Sequence, residues 1–140
     1  MTQLPTVLLR HDLSTGAHYD WLLADPLDPA GLLWAGRVTR PSWSWAAIDT
    51  WHIQQIAPHR RLYLTYQGPL QPRHGQGRGY VCRVDQGYAL PRLWTAQRRI
   101  LTLKTRYFQG EIHFHRLDAD RWQAWRPESP ALDSSDTFLR

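Results

Sequence analysis

The chain has 140 residues, enough for one domain with a real core and too few for two. Hydrophobic residues make up 42% and charged residues 21%, an ordinary globular balance, and no apolar run approaches the roughly 20 residues that a membrane helix needs. The formal net charge of +5 is carried mainly by arginine, whose planar fork suits phosphate, so nucleic acid or another polyanion is weighed equally with a merely solvated basic surface.

In chain order, the sequence is a succession of short apolar runs broken by Gly, Pro and Asp. Val7-Leu8-Leu9 predicts the first strand, Tyr19 to Leu23 the second and Gly31 to Val38 the third. Trp43 to Trp51 reads either as a helical turn or as a covering loop. Leu62 to Tyr66 alternates and runs into Gly68-Pro69, the pattern of a strand ending in a turn. His74 to Gly79 is a glycine-rich turn leading into Tyr80 to Val84; Asp85-Gln86-Gly87 then reads as a hairpin connection into Tyr88 to Trp94. Ile100 to Tyr107, Glu111 to Leu117 and Trp122 to Trp125 complete the strands.

No long stretch carries a helical period, and eight Trp, six Tyr and three Phe favour strands. The fold class expected is mostly β: a single antiparallel barrel of about eight strands with one or two short helices. The barrel is assigned to residues 1–128 and a loose tail to 129–140, in a stretch that contains Pro130, Ser134, Ser135 and Asp136. Cys82 stands alone, which excludes an internal disulfide and a thiolate metal cluster. Met1 to Pro5 lacks the basic and apolar regions of a secretory signal, so a cytoplasmic monomer with no membrane partner is expected.

The chemistry-bearing segment is His11-Asp12-Leu13-Ser14-Thr15-Gly16-Ala17-His18-Tyr19-Asp20. Side chains two apart on a strand share a face, so His18 and Asp20 project side by side with Tyr19 turned away. Ser14-Thr15-Gly16 can fold the chain back to bring His11 opposite them. Two imidazoles and one carboxylate then suit a single divalent ion at roughly 2.0–2.2 Å, with manganese, zinc or iron better matched than a sulfur-seeking metal. Asp12 lies on the opposite parity and is assigned a supporting or turn role. A strand-end histidine is more often a satisfied surface residue than a ligand, and these residues alone leave both readings open.

The order His-Asp, short loop, His-Tyr-Asp resembles the 3′-phosphoesterase domain of bacterial DNA ligase D and its small stand-alone relatives. Leu33-Trp34-Ala35 is similar to that family's tryptophan–alanine strand. His59, Tyr63 and Gly68 keep the spacing of its second histidine–tyrosine–glycine segment. Gly77 to Tyr88 matches its glycine turn, strand and Asp-x-Gly turn, and Gln109-Gly110-Glu111 with Trp122 and Trp125 its closing hairpin. The resemblance runs from about Val7 to Arg126 and implies a small β barrel with short flanking helices. It implies a manganese-type ion on His11, His18 and Asp20, phosphate contacts from His59 and Tyr63, and removal of a 3′-phosphate or 3′-ribonucleoside from DNA or DNA/RNA ends in repair. A DNA ligase or repair factor is the candidate protein partner.

The chain departs from that pattern in four places. Leu22 occupies a position where the family usually carries arginine, and Trp51 and His52 stand near a second basic position. The loop between His11 and His18 is one residue longer, and the arginine-bearing N-terminal extension is not expected. Arg37, Arg40, Arg61 and Arg83 are the candidates to supply the missing charge. The alternative is therefore a catalytically weak nucleic-acid-binding or scaffold domain that keeps the barrel and the ion. A barrel binding some small organic ligand has only the aromatic content behind it.

Four further features carry weaker signals. His113 and His115 share a strand face without a third ligand, so an exposed polar face is the simpler explanation. The Gly75 to Gly79 turn lacks the lysine and hydroxyl of a nucleotide-binding loop. Trp43, Trp45 and Trp51 can stack bases or fill a barrel core, and Cys82 reads as a packed strand residue.

Overall fold

The computed structural model describes residues 3–38, 49–70 and 79–127. Nine strands carry nearly all of its regular structure: β1 (Leu4–Leu13), β2 (Gly16–Asp25), β3 (Asp28–Val38), β4 (Thr50–His59), β5 (Gly68–Pro69), β6 (Tyr80–Trp94), β7 (Arg98–Thr105), β8 (Gln109–Arg116) and β9 (Arg121–Trp125). Eight of them close a ring in the order β1-β2-β3-β4-β9-β8-β7-β6 and back to β1, every neighbour antiparallel. The two-residue β5 lies beside the start of β6. Closure pairs every strand edge of the ring and removes the open edges of a flat sheet.

The expected barrel is present, with the strand count expected, and three local assignments change. Leu62 to Tyr66 is not a strand. Arg61–Leu64 forms a short 3₁₀ helix, because Tyr63 and Leu64 turn back to pack on apolar side chains of β1–β3. Asp85-Gln86-Gly87 is not a hairpin but continuous strand within the 15-residue β6, directly after a bulge at Val84. Its first part pairs with β1 and its last part with β7, and the ladder shifts register opposite Leu8 and Leu9. Buried Asp85 fixes the bend by accepting hydrogen bonds from Thr105 Oγ1 at 2.7 Å and from the Gln86 and Arg106 amides at 2.7 and 2.9 Å. A side chain at Gly87 would run into the Lys104 carbonyl, so this glycine serves close strand approach. β4 is a strand that the sequence reading left unassigned. Among the described residues the 3₁₀ turn is the only helical element. Residues 43–48, the turn at 75–78 and the tail from 128 onward lie outside the described residues.

The strands bury two separate apolar layers. The interior of the ring holds Leu8, Trp21, Leu23, Trp34, Trp51, Leu101, Phe114 and Trp122, with tilted and edge-on ring contacts of 5.4–6.3 Å between several of them. Trp51 is thus a core residue. Arg99, only 8% exposed, enters this interior with its guanidinium carbon 3.9 Å from the Trp94 ring centre and 4.5 Å from that of Trp122. Burial pulls its pKa down to about 10, so it stays charged at neutral pH and is sheltered by aromatic faces. The second layer lies on the outside of β1–β3, where Val7, Leu9, Leu22, Ala24, Leu33 and Ala35 are covered by Ile56, Tyr63 and Leu64. The segment from His59 to Gly68 is therefore an arch over the outer face of the barrel. It is pinned at one end by the Leu33↔His59 pair and at the other by Gly68↔Val81.

Candidate functional site

Next to this outer apolar layer, the same strand faces become polar towards one end of the barrel. β1 and β2 join through the two-residue turn Ser14-Thr15, with Leu13 paired to Gly16. Gly16 has φ +127°, a conformation that side-chain-bearing residues rarely adopt. That register sets His11 directly opposite His18 and Leu9 opposite Asp20. The two imidazole rings stand edge to face, 4.7 Å between centres. On the other side of β2, Asp20 pairs with Arg37 of β3. His11, His18, Asp20 and Arg37 thus form a patch three strands wide.

The arch supplies the wall above this patch. His59 ends β4, and the 3₁₀ turn brings Tyr63 beside it with ring centres 5.7 Å apart. Arg61 donates to the Pro29 carbonyl and Tyr66 donates to the Pro69 carbonyl, which ties the arch down at both sides of Tyr63. The resulting cavity of about 670 Å³ is lined by His11, His18, Asp20, Arg37, His59, Arg60 and Tyr63, with Leu9, Ala57, Pro58, Leu70 and Val81 as apolar edges. All five site residues expected from the sequence border this one space.

Asp20 is its electrostatic centre. The residue is 3% exposed; Arg37 Nε donates to its Oδ1 at 3.1 Å, His18 Nδ1 lies 3.5 Å from the same oxygen, and His59 Nε2 lies 3.8 Å from Oδ2. His18 Nδ1 is buried and makes no hydrogen bond. Burial lowers the His18 pKa; the Asp20 charge opposes this, and the Arg37 and His11 charges add to it. A neutral ring with a free nitrogen lone pair is the form that binds a metal. Two donors on one small cation at about 2.0–2.2 Å stand roughly 3 Å apart, close to the His18–Asp20 separation. The donor set and the unpartnered Nδ1 therefore fit a divalent cation with His18 and Asp20 as neighbours and His11 beside them. As they lie, no three His, Cys, Asp or Glu side chains among the described residues form a ready metal cage, and Asp20 is engaged by Arg37 instead.

Of the four arginines considered for the missing charge, Arg37 lines the cavity. Arg61 is tied to Pro29 and Arg83 to Gln86, and Arg40 lies outside the described residues. Arg60 also lines the cavity, its guanidinium carbon 5.9 Å from the Tyr63 ring centre. The sequence reading missed it, although a basic residue beside His59 was a visible signal. Leu22 is 0% exposed and forms part of the floor beneath Tyr63 and Leu64, an environment that excludes an arginine. Asp12 pairs with Arg10 at 2.8 Å on the exposed surface. His113 Nε2 donates to the Glu111 carboxylate at 2.7 Å and its ring lies tilted against Trp125, and His115 is exposed, so this pair belongs to a polar outer face. No helix among the described residues is long and apolar enough to cross a membrane. No family model matches the chain, and no curated protein matches it.

Proposed function

We propose that this chain is a divalent-metal-dependent phosphoesterase acting on nucleic-acid 3′ ends, removing a 3′-phosphate or a terminal 3′-ribonucleoside. The observation that carries the proposal is the shared cavity. His11, His18, Asp20, His59 and Tyr63 come from two stretches far apart in the chain, 11–20 and 59–63, and line it together with Arg37 and Arg60. Imidazole, carboxylate, hydroxyl and guanidinium groups around one open space are the groups that phosphate-ester hydrolysis uses.

His11, His18 and Asp20 would hold the ion, manganese by preference and zinc as the second choice. When bound there, it supplies positive charge that polarises a phosphoryl oxygen. The chain's own groups do the rest. The Ala57 carbonyl, 3.0 Å from His59 Nδ1, can only accept, so Nδ1 carries a hydrogen and Nε2 is the nitrogen turned to the cavity. Nε2 donates a proton to the leaving oxygen, the DNA 3′-oxygen when a phosphate is removed and the 5′-oxygen of the ribonucleoside when that is removed, while the attacking water gives up its proton to solvent. The Tyr63 hydroxyl orients the phosphate, with its ring fixed against His59 and the apolar floor. Arg60, on the exposed rim, meets neighbouring phosphates of the strand.

The test is release of inorganic phosphate from a primer-template ending in a 3′-phosphate, with manganese present. The wild-type chain is expected to turn over, and Asp20→Asn to lose more than about 100-fold while still folding. Absence of release by the wild type, or undiminished release by Asp20→Asn, overturns the proposal. A second reading, a nucleic-acid-binding or scaffold domain, draws on the Arg37–Asp20 pair and on the burial of Leu22. Binding of the same primer-template without phosphate release selects it.

A further inference from the structure

We infer that Arg37 is a latch on the metal-binding carboxylate, so that a divalent cation and a phosphate enter this cavity with positive coupling. The inference rests on the metal-and-phosphate reading above and concerns a property that reading does not contain.

The premises are positional. Asp20 and Arg37 are cross-strand partners on β2 and β3, and their side chains meet on the cavity face. The Asp20 side chain is 5% exposed and the Arg37 side chain 40% exposed. A carboxylate so deeply buried needs a positive partner, and Arg37 Nε provides it at 3.1 Å on Oδ1. That oxygen is also the one 3.5 Å from His18 Nδ1, hence the one that would join His18 on a cation. One carboxylate oxygen cannot hold both charges closely, because a divalent ion and a guanidinium a few ångströms apart in a shielded site repel strongly. Loading the ion therefore releases Arg37 from Oδ1.

The released guanidinium has somewhere to go. Its stem is half open to the cavity, and its planar fork matches two phosphoryl oxygens at once. With phosphate present, Arg37 trades the carboxylate for the phosphate. With neither ligand present, it returns to Asp20. Each ligand thereby removes the cost that the other would meet, and linkage requires the effect to be equal in both directions. Arg60 faces no carboxylate in this arrangement among the contacts described, and contributes charge without the exchange.

The experiment is calorimetric titration of the full chain with manganese chloride, without and with saturating inorganic phosphate, for wild type, Arg37→Gln and Arg37→Lys. Melting curves check that each variant folds. Wild type is expected to bind manganese roughly 10-fold more tightly when phosphate is present. Arg37→Gln is expected to bind manganese more tightly than wild type without phosphate and to gain much less from it. Arg37→Lys, which keeps a charge but not the fork, should fall between. If Arg37→Gln binds manganese no better than wild type, or with the same gain from phosphate, Arg37 merely supports Asp20 and the latch is wrong. If wild type takes up no manganese, the metal reading itself fails and the latch falls with it. The two failures are thus separable.

Discussion

The inner and outer faces of β1–β3 are built from alternate residues of the same strands, yet they have opposite characters. On β2, Trp21 and Leu23 face the ring interior among other aromatic side chains, while His18, Asp20 and Leu22 face outwards. Two arginines repeat the contrast. Arg99, inside, is held by indole faces with its pKa pulled down by burial; Arg37, outside, is held by a carboxylate and stays partly open to solvent. The interior is occupied by packed aromatic and aliphatic side chains. The polar groups of the candidate site sit between the barrel wall and the arch, and the apolar groups fill the interior. The period of two along a strand allows both jobs in ten residues.

Substitutions at adjacent positions on β2 separate the two faces. Trp21→Ala empties the interior of a fully buried ring and a hydrogen bond to Thr6, and should cost about 3–5 kcal/mol in urea unfolding. Its neighbour Asp20→Asn is expected to abolish turnover with far less change in unfolding midpoint. If both substitutions lower stability alike, the division of labour between faces is wrong. Leu22→Arg, which puts in the residue that the ligase D family usually carries there, should lose about 2–4 kcal/mol by forcing a charge beneath the arch. A gain of phosphatase rate without loss of stability would show that the floor is open rather than sealed.

The smallest expected effect is on pH. Burial lowers the His18 pKa from its ordinary value near 6.5, so below that pH the unfolded chain binds more protons at this site than the folded one. Stability from this group is therefore full above about pH 6.5 and is lost as the pH falls towards the folded value. Comparing urea midpoints at pH 7.5 and 5.5 should show a steeper decline for wild type than for His18→Gln. Equal slopes would mean that His18 is not shielded on the outer face.

Much of this was legible before any coordinates. The apolar runs and aromatic content lead to an all-β barrel, because alternation and turn residues act locally. His11, His18 and Asp20 could be grouped because a short hairpin joins them. The errors arose where long-range pairing overrode a local signal. Asp85-Gln86-Gly87 has turn chemistry but lies between two partner strands, so its carboxylate binds the β7–β8 connection and the chain bends without reversing. Leu62 to Tyr66 alternates, but packing of Tyr63 and Leu64 onto the outer layer favours a 3₁₀ turn. β4, with His52, Gln54 and Gln55 among its apolar positions, offers a weak local signal and forms because β3 and β9 flank it.

By itself, then, the order of residues determined the barrel class, the His–Asp hairpin and the short list of groups able to do chemistry. These depend on interactions between near neighbours, which a sequence displays directly. Only the tertiary structure decided that the arch carries His59 and Tyr63 over that hairpin, that Arg37 among several arginines meets Asp20, and that Leu22 is sealed beneath. Those outcomes depend on strand register across the closed ring, where a shift of one residue would turn each of these side chains to the other face.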